Sequence, residues 1–465
     1  LLIKPLNLDT AFQYEEVTGY STATDAESLI FSVETKDKKQ QSGVFHFDAT
    51  EKTATPIHLE EGSFKQLATS KDGLKAAFLL DSDTTDAPIS QFRLFFWQHT
   101  MTEARELPAT ASDFLPQGWI LSEYGKVHFS ANGQRLFFGA APEPILQNPD
   151  LLDEEIVQVE VWHYNDARLY PQQKVQLSAD KRQNYTCLYD IAGDKFMQLG
   201  SPELPDIRLG DDGNANFVLA YTDLPYLRET SWEGSPAKKD IFLIDLKTGA
   251  KIPLAEQMRG TPNFSPEAAY VYWYDVVQSG WYAYNIKDRK LHRITDDSIS
   301  IFYDEQNDSP DYPYPYGIAG WTTSDDFIMI YDRYDIWLID PDKDLKPNNL
   351  TNARAAKQVM RYIKTDPDQK SIEEVAPMVF HMFDETNKDE GYVGFNLHTG
   401  VKTVLQKGAY KLSRRPLKAK KAGSWVFTKE NYQLFPDLYH SKDLRESKRI
   451  SEANPQQSEY NSGSI

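Results

Sequence analysis

The stretch that decides the fold runs YGIAGWTTSDDFIMIYDRYDIWLIDPDKDLKPNNLT, from Tyr316 to Thr351. Within it, Gly317–Trp321, Phe327–Tyr331, Ile336–Asp340 and Asn349–Thr351 read as four short strands. The first three carry aromatic and β-branched residues that pack well on a pleated surface. Ser324-Asp325-Asp326 and Asp332-Arg333-Tyr334 supply turn chemistry between them, and a polar segment after Asp340 sets off the last. Four strands of this length joined by turns make one antiparallel sheet of blade size.

The same plan recurs outward from this stretch. Ser70-Lys71-Asp72-Gly73 precedes Ala76–Leu80, then Phe92–Trp97, then Glu106-Leu107-Pro108. Ser130-Ala131-Asn132-Gly133 precedes Leu136-Phe137-Phe138, and Asp211-Asp212-Gly213 precedes Phe217–Tyr221, a unit that resumes at Ile241–Asp245. Phe264-Ser265-Pro266 precedes Tyr270–Tyr274, Trp281–Ile286 and Leu291–Thr295; fainter copies begin near Asp25, Glu374 and Ala422. Asp-Gly and Asn-Gly tolerate the positive φ of tight hairpins. Any one such dipeptide is an ordinary surface turn, but their regular association with strands is a repeat of roughly 40–50 residues. The expected fold is therefore all-β: a β-propeller of about eight blades, seven being the alternative, each of four antiparallel strands, over residues 1–453. A blade cannot bury both faces of its sheet alone, so neighbours must stack, and a closed ring leaves only short edges. Ala141–Gln183 and Leu224–Lys239 break the pattern and read as elaborated loops or an extended blade.

Composition narrows the function classes. Of 465 residues, 69 are acidic and 50 basic, a formal net charge of -19 that repels nucleic acid; the run Lys418–Lys421 is too short to offset it. No apolar run is long enough to span a bilayer, and no signal peptide stands at Leu1. With one cysteine, Cys187, no intrachain disulfide forms; its apolar strand-like setting predicts a buried, inert thiol.

The search for catalytic chemistry finds little. A nucleophile elbow needs Gly-x-Ser-x-Gly so that small neighbours leave the serine exposed. The nearest string, Gly19-Tyr20-Ser21-Thr22-Ala23, lacks the second glycine and reads as an ordinary turn before a strand. The nine histidines show no zinc-ligand spacing, and no glycine-rich phosphate loop occurs, so no metal and no cofactor is expected. His163 reads as a packed or hydrogen-bonded strand residue. Arg333, in the Asp332–Asp335 turn, has two readings: a guanidinium pointing into a central tunnel to meet a peptide carboxylate, or a structural ion pair with neighbouring aspartates.

Longer strings carry a resemblance. Val159–Asp166 (VEVWHYND) with Pro171-Gln172-Gln173-Lys174, Tyr316–Trp321, Tyr331–Trp337, Phe435–Tyr439 and Asn454-Pro455-Gln456-Gln457 resemble the propeller of bacterial prolyl oligopeptidase family (S9) serine peptidases. In that family a propeller caps an α/β-hydrolase domain bearing a Ser-His-Asp triad. The resemblance implies that residues 454–465 begin the connection to such a domain, and that this chain is its detached propeller without the triad. In related dipeptidyl peptidases a propeller Glu pair binds the substrate's free amino terminus; Glu154 and Glu155 are similar in spacing, although the residues after them differ from that motif. The plainer reading is an acidic loop in an acidic chain. An exposed apolar patch is expected where the hydrolase would sit.

Two readings of function follow, both for a chain inactive by itself. By resemblance, the chain gates and positions oligopeptide substrates for a C-terminal hydrolase domain, in the periplasm or outside the cell, with the cytoplasm as the alternative. By its blades alone, it is a stand-alone scaffold binding a protein or ligand. A propeller glycosidase would need converging carboxylates that no spacing singles out.

Overall fold

The computed structural model describes residues 1–4, 11–35, 41–85, 87–109, 114–148, 150–157 and 159–460. Its strand organisation is that of a β-propeller: eight successive sheets, in each of which strands pair in chain order. The chain divides into two compact units, Leu1–Met258 and Arg259–Ile465.

The first unit opens with a ribbon of Leu2–Ile3 and Phe12–Gln13. Blade 1 is Val17–Thr22, Ser28–Val33, Gly43–Asp48 and Thr53–Leu59. Blade 2 is Ser63–Thr69, Lys75–Asp81, Arg93–Gln98 and Arg105–Leu107. In blade 3 the first strand is broken into Trp119–Leu121 and His128–Phe129, followed by Arg135–Pro142, Tyr185–Asp190 and Lys195–Gln198. Blade 4 is Asp206–Leu209, Phe217–Thr222, Lys238–Asp245 and Lys251–Arg259.

In the second unit, blade 5 is Asn263–Phe264, Tyr270–Asp275, Gly280–Asn285 and Lys290–Arg293. Blade 6 is Ile318–Trp321, Ile328–Tyr331, Ile336–Ile339 and Asn348–Asn349. Blade 7 is Gln358–Tyr362, Pro377–Asp384, Glu390–Asn396 and Lys402–Gly408. Blade 8 again has a broken first strand, Lys411–Leu412 and Leu417–Lys418, before Trp425–Asn431, Leu434–Ser441 and Lys448–Arg449. Beyond it, a 3-10 turn at Pro455–Glu459 is held to blade 8 by Gln457, which accepts from the Phe435 N–H at 3.3 Å and donates to Gln433 O at 3.0 Å. Residues 461–465 of the expected connection lie outside the described residues.

A small polar device explains the repeat. A buried Ser or Thr at the turn between the first and second strands accepts the N–H five residues on: Lys75 to Ser70 Oγ at 3.0 Å, Arg135 to Ser130 at 3.0 Å, Tyr270 to Ser265 at 2.9 Å, and Phe327 to Thr322 Oγ1 at 3.0 Å. The hydroxyl thereby satisfies a donor that the turn would otherwise bury unpaired. Gly73 (φ 70°) and Gly133 (φ 65°) supply the positive φ that two of these turns require. The second strands that follow are apolar without alternation, as Lys75–Asp81 shows, because packing covers both faces. Cross-strand aromatic pairs fill the sheets, with Phe78 and Phe95 stacked at 5.3 Å and Trp273 and Tyr282 at 5.9 Å.

The two stretches that break the repeat are insertions between the second and third strands, of blade 3 and of blade 4. They carry helices rather than extra strands: α1, Tyr170–Asp180, and α2, Thr230–Glu233. The insertions touch through Arg228 Nη1, which donates to Asn165 Oδ1 at 3.3 Å. Helix α1 has no buried residue, and Ile145, Val157, Val159, Val161, Trp162 and Val175 are exposed.

Candidate functional site

The sequence-derived site residues fall in different units. Glu154 and Glu155 lie in the first, on a 3-10 turn (Asp153–Glu155) of the blade 3 insertion, and both are exposed. Glu155 spends one oxygen on its own turn, accepting the Leu152 N–H at 3.0 Å. His163, in the same insertion, is hydrogen-bonded as expected but lies in an exposed irregular segment rather than a strand: its Nδ1 accepts the Asn165 N–H at 3.2 Å and its ring lies 4.8 Å from that of Tyr164. Ser21 likewise belongs to the first strand of blade 1 and not to a turn; its Oγ is 3.4 Å from Thr69 Oγ1. Cys187 is buried, and burial pushes its thiol up to about 12.

Arg333, in the second unit, sits at a polar cluster. The turn Asp332–Asp335 joins the second and third strands of blade 6. Asp332 is fully buried and closes the turn, accepting N–H groups of Tyr334 at 2.8 Å and Asp335 at 2.6 Å on Oδ1. Its Oδ2 takes Ser300 Oγ at 2.7 Å and Trp337 Nε1 at 3.0 Å. Burial pushes this carboxyl up, but these hydrogen bonds outweigh it and hold the group below the usual carboxylate range.

The turn thus presents Arg333 outward, to a partner the sequence did not suggest. Its Nη2 lies 3.0 Å from both oxygens of Glu385, in the corresponding turn of blade 7, rather than on the neighbouring aspartates. The Tyr334 hydroxyl donates to Glu385 Oε2 at 2.8 Å. Burial acts to raise Glu385, and the Tyr334 and Arg333 bonds bring it below its ordinary value. Arg354, from the link between blades 6 and 7, binds Glu305 through both nitrogens at 2.7 and 3.3 Å and reaches Asp332 Oδ2 at 3.2 Å. The guanidinium carbons of Arg333 and Arg354 lie 5.1 and 5.2 Å from the Tyr334 ring centre.

A third arginine completes the cluster. Arg361, on the first strand of blade 7, packs over Tyr331 at 4.6 Å and Tyr316 at 5.8 Å. Its nitrogens donate to Met360 O at 2.8 Å, Arg333 O at 3.1 Å and Asp332 O at 3.2 Å. Sequence reading missed Arg354, Arg361, Glu305 and Glu385. The strand bearing Arg361, Gln358–Tyr362, mixes charged and apolar residues and so gave no clear apolar signal. Glu385 and Glu305 are met only through pairing between segments 50 or so residues apart.

Chemically the cluster is a set of fixed guanidinium and phenol donors, suited to holding carbonyl or carboxylate groups. Acyl transfer needs more. Ser424 Oγ and His440 Nε2 lie 2.9 Å apart in blade 8, yet no carboxylate among the described residues hydrogen-bonds His440 to orient it. Among the described residues, no three His, Cys, Asp or Glu side chains gather as a metal site, and no helix is long and apolar enough to cross a membrane.

No protein-family model matches the chain, and no curated protein matches it. Solved structures to which the chain aligns include peptidases. Dipeptidyl peptidase 4 of Porphyromonas gingivalis is 10% identical with a TM-score of 0.41, over 95% of this chain and 60% of that one. A prolyl endopeptidase gives 10% and 0.32, over 89% of this chain and 54% of its own. The β-propeller domain of the trilobed protease from Pyrococcus furiosus gives 11% and 0.30, over 84% and 96%. The chain thus spans between half and two thirds of the first two and nearly all of the third.

Proposed function

We propose that this chain is the substrate-handling propeller of a serine peptidase of the prolyl oligopeptidase (S9) type. It admits oligopeptides to a hydrolase domain, helps position them, and does not hydrolyse peptides by itself. One observation carries the reading. Two of the strings that resemble the family, Tyr316–Trp321 and Tyr331–Trp337, both belong to blade 6, and together they supply one side of a single cluster. Tyr316 and Tyr331 both lie against Arg361, and Asp332 and Arg333 hold it through their carbonyls. The buried turn serves the fold of blade 6, while the partly buried guanidiniums of Arg333 and Arg361 beside it are of the kind that meets the carbonyls and carboxylates of a peptide.

Sequencing the gene beyond Ile465 tests the parentage: a Gly-x-Ser-x-Gly string followed by Asp and His supports it, and an immediate stop codon refutes it in favour of a stand-alone scaffold. Calorimetric titration of the chain with oligopeptides tests the handling role. Binding of peptides, without turnover in a protease assay, is the expected result.

A further inference from the structure

The run Lys418–Lys421, too short by its sequence to matter, does not stand alone in the folded chain. Blade 8 is a basic module in an acidic protein. Between Lys411 and Arg449, 11 side chains are Lys or Arg and 4 are Asp or Glu, against 39 and 65 in the rest of the chain. Its strands pair antiparallel and in chain order, so the turn joining the first two and the turn joining the last two leave at the same end. Lys418, Lys420 and Lys421 come from the first of these turns, and Lys442, Arg445 and Lys448 from the second.

Register and contacts fix how close the two turns lie. Lys418 pairs with Trp425 and Trp425 with Ser441; in the next row Leu417, Val426, His440 and Lys448 stand side by side. At the spacing of neighbouring strands that row is about 15 Å wide. Ser424 Oγ lies 2.9 Å from His440 Nε2, and a Cβ on Gly423 would stand 3.4 Å from Lys442 O. Both turns are closed. The Ala419 N–H donates to Ser424 O at 2.9 Å, while the buried Ser441 Oγ accepts the Leu444 N–H at 2.9 Å and donates to Glu446 O at 2.6 Å. The acids at this end are outnumbered. Lys420 is held by Asp368 at 2.8 Å, from the blade 7 turn that also carries Asp366, and Asp443 and Glu446 stand in the second turn itself. Lys418, Lys421, Lys442, Arg445 and Lys448 are exposed, and among the described residues no acid pairs with them. Like charges gathered so closely repel one another, and an anionic partner relieves that.

We propose that this end of blade 8 is a docking surface for a bilayer of anionic phospholipid. A cluster of this size matches the polybasic surfaces that bind phosphate headgroups. Leu417, next to Lys418, is 73% exposed. An apolar side chain among bases gains from the interfacial layer of a bilayer, and a nucleic-acid backbone offers it nothing. Trp425, under Lys418 at 5.9 Å, is 7% exposed and so gives a nucleobase no stacking surface. Five of the six bases are Lys, point charges that need no fixed fork geometry. Asp443 and Glu446 interrupt the positive field. Laterally mobile headgroups gather at the bases and leave those acids, whereas the fixed phosphates of a duplex cannot. Salt screens acids lying more than about 8 Å from the bilayer, so the acidic remainder of the chain opposes docking only weakly.

The test sediments the full chain with vesicles of phosphatidylcholine alone and of an equal mixture of phosphatidylcholine and phosphatidylglycerol. The chain should bind the mixture about tenfold or more tighter than the neutral lipid, and less tightly as salt rises. Each basic side chain at a bilayer surface contributes about fivefold, so Lys421→Gln/Lys442→Gln/Lys448→Gln should weaken binding about a hundredfold. Lys174→Gln/Lys181→Gln/Arg182→Gln, the same loss of charge in the blade 3 insertion, should leave it within about twofold. Leu417→Ser should weaken it about fivefold. Equal binding to the two vesicles, full binding by the blade 8 variant or by Leu417→Ser, or an equal loss in the insertion variant overturns the proposal. So does displacement by inorganic phosphate at matched ionic strength, which assigns the bases to free phosphate. A DNA duplex bound more tightly than the mixed vesicles, through the same lysines, assigns the surface to nucleic acid instead. Thermal melts of each variant report folding, and a triple variant that fails to fold is replaced by Lys421→Gln/Lys448→Gln, which should lose about 25-fold.

Discussion

Replacing Asp332 should cost the second unit more stability than any conservative surface change, because four donors converge on its two oxygens. The carboxylate is 0% exposed and accepts from the Tyr334 and Asp335 N–H groups, Ser300 Oγ and Trp337 Nε1. In Asp332→Ala each donor loses its acceptor. At about 1 kcal/mol apiece, the low end for a buried group left unsatisfied, the total is about 4 kcal/mol. The Arg354 contact adds little, because that side chain is 43% exposed and keeps Glu305. Asp332→Asn retains one acceptor oxygen for the two turn N–H groups, and Ser300 can rotate its hydroxyl to accept from the new amide. The residual cost then falls mainly on Trp337, about 1–2 kcal/mol. Urea unfolding followed by tryptophan fluorescence measures both, with the second unit's transition read separately if the two units unfold in steps. A loss below 1 kcal/mol for Asp332→Ala, or equal losses for Ala and Asn, would refute the reasoning that the turn is held by side-chain acceptance.

Acidification should weaken the same region. Asp332, Glu385 and Glu390 are all held below their ordinary values in the folded state, so they contribute stability above the unfolded carboxylate range near pH 4, and it is lost as pH falls through their folded values. The urea midpoint should stay level from pH 7 to about pH 5 and drop below about pH 4; a midpoint unchanged at pH 3 contradicts it. Gly125→Ala should be severely destabilising, since its Cβ would stand 2.3 Å from the Gly139 Cα, whereas Gly249→Ala, with φ 73° in open space, should lose only about 1 kcal/mol. Thermal melts compare them, and equal losses would deny the close backbone contact. Cys187, buried with a thiol raised to about 12, should react with a disulfide reagent only as fast as the protein opens; immediate native-state labelling counts against its burial. Brief trypsin treatment should cut first at Lys174, Lys181 or Arg182, around a helix that buries nothing, and a first cut within a blade would contradict that exposure.

The blades were legible because their signals are local. All eight sequence anchors, from Asp25 to Ala422, fall at the turn between the first and second strands, and in four of these turns a buried hydroxyl fixes the chain. The apolar second strands that follow were equally plain. First strands were harder: Asp206–Leu209 and Gln358–Tyr362 mix charged and apolar residues, and in blades 3 and 8 the strand is broken. The insertions stood out by failing the period, but their helices did not, since α1 packs no apolar face against the unit and shows none in sequence.

The candidate site was legible only in half, and the reason is physical. Arg333 drew notice because it stands in a turn whose aspartates are adjacent in sequence, so a local ion pair was the natural reading. Those aspartates are engaged inward instead: Asp332 accepts the donors that close the turn, and Asp335 accepts Asn349 Nδ2 at 3.1 Å and Thr351 Oγ1 at 2.7 Å. Their capture by the fold is what leaves Arg333 to find Glu385 in the next blade, and what leaves Arg361 with carbonyls rather than a carboxylate. A count of charges gives no hint of this, since Arg333, Arg354 and Arg361 are matched in number by Asp332, Glu305 and Glu385. The imbalance arises from pairing: Asp332 and Glu305 both serve Arg354. An unmatched guanidinium can thus exist in a chain of net charge -19, because the buried acids of a blade repeat serve its turns before they serve its cations.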